Sequence, residues 1–150
     1  MKILEQPKGG DYSTFFSTYL NLLSGNNYEE QMLQQADAMV SLFHIKGMKW
    51  ADTPYAEGKW TPKEVLGHVI DTERIMTFRA LCFARGEKSA LPGFDQDEYV
   101  SNANFGGVSL HHLLDDLMAQ RIALLSMIRT IPEDCLDLVG MANGYPITPR

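Results

Sequence analysis

Cysteine is scarce in this chain. Cys82 and Cys135 are the only two in 150 residues, far apart and set among apolar neighbours. That spacing excludes a disulfide framework and a zinc knuckle, and each thiol reads as a small buried hydrophobe. Long apolar runs are missing too. Nowhere do about 18 apolar residues stand together, so no membrane span is expected. Residues 1–7 lack the apolar stretch of a signal peptide, and the expected compartment is the cytoplasm. Basic clusters are absent: Lys46, Lys49, Lys59 and Lys63 are scattered among Asp and Glu, the net charge is −6 and the pI is near 5.1. A nucleic-acid partner is therefore not expected. The chain also has no HExxH, CxxC, GxGxxG, P-loop or GxSxG motif, which removes the common signatures of zinc proteases, redox dithiols, nucleotide binders and α/β-hydrolases.

What is present is an ordinary globular composition, 45% hydrophobic and 21% charged, in a length that suits one domain over residues 1–150 with a core of its own. Apolar residues recur at three- and four-residue steps, the helical period. Tyr12, Phe15, Phe16, Tyr19, Leu20 and Leu23 form a first stripe, broken by Ser24-Gly25-Asn26-Asn27. Asn27 is placed to cap a second helix carrying Met32, Leu33, Ala36, Met39, Val40 and Phe43, which Gly47 and the 52–58 stretch end. Thr61-Pro62-Lys63-Glu64 is a capping box with proline at the first helical position. It predicts a long helix to about Arg85, stopped by Gly86. Residues 91–108 read as a structured loop. Ser109 caps a further helix with Leu110, Leu113, Leu114, Leu117, Leu124, Leu125 and Ile128 inward, ended by Pro132. Asn143-Gly144 predicts a tight turn, and Thr148-Pro149 repeats the opening of a helix start. The predicted class is all-α, a bundle of long helices that lacks one wall.

Of the four histidines, His68 stands out. On the helix from Thr61 it shares a face with Val65, Val69, Thr72 and Met76. An inward imidazole needs a partner, and two readings stand: a core histidine bonded to a neighbour, or a metal ligand. His111 and His112 diverge on the first turn of their helix and are expected to face solvent, while His44 packs or caps a helix end. Arg121 occupies an inward slot and needs an anion. Glu73 or Asp71 would pair with it, with substrate binding as the alternative. Trp50 and Trp60 read as anchors for the loop before the long helix.

The run Gly58-Lys59-Trp60-Thr61-Pro62-Lys63-Glu64, continued by Gly67-His68, Asp71 and Glu73-Arg74, resembles the DinB-like (YfiT-like) family. Phe78-Arg79-Ala80, Phe83-Ala84-Arg85-Gly86, Leu91-Pro92-Gly93-Phe94-Asp95, Tyr99-Val100, Ala103-Asn104-Phe105 and the Ala142-Asn143-Gly144 turn are similar as well, so the likeness covers essentially the whole chain. The resemblance implies an antiparallel four-helix bundle that holds a divalent metal through three histidines. His68 matches the first ligand, and the HxxxH pair of the family's last helix has no counterpart. The resemblance thus implies a C-terminally incomplete domain, either a fragment, the favoured explanation, or a family member that lacks the metal.

The function implied is a metal-dependent enzyme, a hydrolase or a low-molecular-weight-thiol transferase, in which the metal activates water or a thiol. Nickel, zinc and iron all suit imidazole ligands. No catalytic acid, base or nucleophile is assigned, and no organic cofactor is expected. The 91–105 loop is expected to cover the pocket, with Asp95 or Tyr99 lining it. The alternative is a non-catalytic bundle that binds a small molecule or dimerises. A homodimer is expected under either reading.

Overall fold

Thr61 and Glu64 close the reciprocal contact that their spacing predicts. In the computed structural model, which describes residues 6–25 and 27–150, the Glu64 backbone N–H donates to Thr61 Oγ1 at 3.1 Å. The Thr61 N–H donates to Glu64 Oε2 at 2.7 Å. Two donors that a helix start leaves without partners are thereby satisfied, a cap worth about 1 kcal/mol.

The described chain carries five α-helices: α1 Ser17–Leu20, α2 Tyr28–Ala51, α3 Pro62–Ala84, α4 Gln96–Ala103 and α5 Leu110–Arg129. A hairpin of β1 Gly140–Ala142 and β2 Tyr145–Ile147 follows. No described helix is long and apolar enough to cross a membrane.

Three elements differ from the sequence reading. The first stripe yields a 3-10 turn, Thr14–Phe16, and the single turn of α1, with Phe15 and Tyr19 exposed. Its Ser, Thr, Phe and Tyr are weak helix formers, so the Ser13 hydroxyl, which accepts from the Phe15 N–H, caps only a short turn. Gly47 does end the regular run of α2, its φ of 75° and ψ of 175° being non-helical, but a further helical turn, not expected, follows it to Ala51. That turn is held because Ala51 is fully buried and Trp50 packs edge-on against Phe43, ring centroids 5.2 Å apart. Within the expected 91–108 loop, residues 96–103 are the helix α4, capped by Asp95, whose carboxylate accepts from the Asp97 and Glu98 N–H groups.

The chain divides into two compact units. One comprises, of the described residues, 6–25, 27–31, 75–94 and 124–150. Here Ala84, Ile131 and Leu136 pack together. The two-residue turn Asn143-Gly144, both at positive φ, closes the hairpin as predicted. Leu91 extends that hairpin: its N–H donates to Met141 O at 2.8 Å and its carbonyl accepts from Asn143 N–H at 3.0 Å. Gly140 lies flat on the buried Phe83 ring, so close that a Cβ there would stand 2.1 Å from it.

The other unit comprises residues 32–74 and 95–123. Its core gathers Phe43, Leu66, Ile70, Leu113 and Leu117, with Phe105 over Gly67. Several polar groups inside it are partnered, although Gln120 Oε1 is buried with no hydrogen-bond partner among the described residues. Lys63, nearly out of solvent, donates to Asp52 Oδ1 at 3.1 Å and to the Gly106 carbonyl at 2.9 Å. Gln120 Nε2 donates to the Ile70 carbonyl at 2.8 Å. Arg121 takes Glu73 of the two anions foreseen, and Asp71 pairs instead with Arg74 at 3.9 Å.

Candidate functional site around His68 and Trp60

The capping box sets where α3 starts and so which residues of its first two turns face inward. His68 stands two turns in, half-buried. Its ring packs on the Trp60 indole with centroids 5.1 Å apart and the planes 48° from parallel. Nδ1 faces the Thr72 hydroxyl one turn on at 3.5 Å, the outer limit of a hydrogen bond. Nε2 has no hydrogen-bond partner among the described residues. Trp60 thus does more than anchor a loop: it fixes one face of the imidazole while both ring nitrogens are left weakly engaged.

Charge lies along the same helix. Arg74 is paired with Asp116 of α5 and stands 3.9 Å from Asp71. Burial pushes the Asp71 carboxyl above its ordinary 3.8; Arg74 opposes that rise, Asp116 adds to it, and His68 opposes it more weakly. An aspartate whose charge is disfavoured, beside a histidine with a free nitrogen, is a polar lining for α3 that periodicity alone does not reveal.

The other histidines are not brought to this place as ligands. His111 and His112 are exposed on the first turn of α5, with His111 Nε2 3.2 Å from Asp115, and His44 is exposed on α2. Among the described residues no group of three or more His, Cys, Asp or Glu is arranged to hold a metal ion. A catalytic zinc-type centre takes three protein ligands, and the described residues bring no such set together. Asp95 is occupied in capping α4, and Tyr99 is exposed on that helix.

Beside Trp60 lies a feature that sequence reasoning missed. The second half of α2, residues 53–55, Trp60 and the first turn of α3 enclose an open groove of about 800 Å³. Both tryptophans of the chain line it.

The model of the DinB superfamily matches residues 31–150. This chain belongs to the DinB superfamily. Among solved structures, YfiT from Bacillus subtilis is similar at a TM-score of 0.67, with 16% identity over 85% of this chain and 77% of that one. YfiT is described as a probable metal-dependent hydrolase with an unusual four-helix bundle topology. At that identity the likeness establishes the fold: the DinB chain has the helical bundle class expected from its sequence. No curated protein matches it significantly.

Proposed function

We propose that this DinB-superfamily chain serves a metal-dependent enzyme, a hydrolase or a low-molecular-weight-thiol transferase, to which His68 contributes one imidazole ligand. The observation that carries the reading is the state of His68: half-buried on α3, clamped by Trp60, with Nε2 free of any partner among the described residues. Nε2 is not among the sealed-off polar atoms that lack a partner, so the nitrogen remains accessible to a ligand rather than locked in the core. An imidazole oriented by packing and left with an open lone pair is suited to a cation. The description of YfiT as metal-dependent supports the same reading. A three-histidine centre needs two further donors, and no such group is brought together among the described residues. A homodimer is the assembly this reading expects.

Elemental analysis of protein expressed from its complete coding sequence tests it. Stoichiometric nickel, zinc or iron is expected, and His68→Ala is expected to lose it while retaining its helical circular dichroism. Metal-free protein in both forms, after growth with each metal supplied, overturns the proposal and leaves His68 a packing residue.

A further inference from the structure

We infer that the groove beside Trp60 is a binding site for a small carboxylic acid with an apolar body, an alkyl or aryl acid of medium size. Nothing in this inference rests on the metal-dependent reading. The volume of about 800 Å³ lies in the range of small-ligand pockets, about 300–1,000 Å³. Its walls are aromatic and aliphatic: Leu42, Trp50, Tyr55, Trp60 and Val65 supply flat and branched apolar surface that favours a ligand body removed from water.

Charge decides what the other end of the ligand is. Lys46 and Lys49 are the charged residues that line the groove, and neither ammonium has an ion-pair or hydrogen-bond partner among the described residues. That is unusual in a chain with 19 acidic against 13 basic residues. The contrast with Lys63 is direct, since that lysine is claimed by Asp52 and the Gly106 carbonyl. The break at Gly47 lies between the two free lysines, and both side chains border the same apolar space. An apolar trough with two unclaimed ammonium groups at its border is complementary to an apolar anion. A carboxylate is the simplest head group that two separate point charges, rather than a guanidinium fork, accommodate.

The two tryptophans provide the readout. Metal-free protein in excess chelator is titrated with decanoate below its micelle concentration, following tryptophan emission, and in parallel with decanol, which has the same body and no charge. Saturable quenching or shift with decanoate is expected, with decanol about three- to tenfold weaker, the scale that two exposed ion pairs allow. The variant Lys46→Ala/Lys49→Ala, changed only at exposed positions, is expected to keep its thermal unfolding profile and to bind both probes alike. Val65→Glu, which places a like charge at the wall, is expected to weaken decanoate further. Absence of a saturable change overturns the inference, as does equal binding of decanol by the unaltered protein. A light-scattering mass that doubles with concentration, together with tryptophan emission that changes in step and no response to decanoate, assigns the groove to a second copy of the chain and also overturns it. Because metal is excluded, failure here leaves the role of His68 untouched.

Discussion

Arg121 meets Glu73 through two parallel hydrogen bonds, Nη2 to Oε2 at 2.6 Å and Nε to Oε1 at 3.1 Å, with the side chains only 8% and 14% exposed. The remaining arm of the guanidinium donates from Nη1 to the Met32 carbonyl at 2.8 Å. One arginine of α5 thus fixes α3 through a side chain and α2 through its backbone. The geometry is the bidentate one that gives such pairs direction as well as strength.

Removing one partner leaves the other charge buried and alone. Arg121→Ala and Glu73→Ala are each expected to lower unfolding free energy by about 3–5 kcal/mol, read from urea denaturation. Arg121→Lys restores charge without the fork and is expected to recover only part of it. Replacing both by apolar residues of similar size, Arg121→Met with Glu73→Leu, is expected to cost much less than either alanine change. A double variant as unstable as the sum of the alanine changes would show that the pair stabilises by more than avoiding its own isolation.

Gly67 is set by contact rather than by torsion. A Cβ there would stand 2.5 Å from the Phe105 ring, which is itself buried. Alanine is the better helix former by up to about 1 kcal/mol, but overpacking a closed core costs about 1–3 kcal/mol, so the clash wins. Gly67→Ala is expected to lower the unfolding midpoint, and to do so much less in a Phe105→Leu background. Equal losses in the two backgrounds would separate the effect from that ring.

Asp71 gives a pH dependence of definite sign. Burial raises its pKa in the folded chain above the ordinary 3.8, so the folded state binds that proton more tightly than the unfolded one. The stability it contributes is complete below 3.8 and is lost as pH rises through the folded value. Asp71→Asn is expected to flatten that part of the stability profile. A carboxyl titration by NMR is expected to move up in Arg74→Ala and down in Asp116→Asn, following the directions in which those neighbours act. Identical midpoints in all three proteins would remove the electrostatic account.

The parts of this fold that are legible from sequence are those set within a few residues. Thr61 and Glu64, and Asn143 with Gly144, specify a cap and a turn by their own chemistry, and both form. Arg121 is legible for another reason: a cation in an apolar stripe demands an anion, and the period of α3 offers few. The helix α4 escapes because Val100 is its only buried residue, too little for a periodic stripe; the Asp95 cap was its one signal. The aromatic stripe at 12–20 misleads because periodicity says which face would be buried, not that weak helix formers will pay the cost of ordering. At the site, His68 is visible in the sequence through its inward position. The groove is not, since its walls come from three segments and its shape depends on a backbone angle at Gly47.

That angle has a wider meaning. A φ of 75° at residue 47 is readily adopted by glycine and strained for a residue with a side chain. An uninterrupted helix of 24 residues would run about 36 Å in a straight line, carrying Trp50 along its axis. Here the rod is jointed instead, and its last turn bends to bring an indole against Phe43. A single hydrogen atom, in place of a side chain, is thus what lets the joint form without strain.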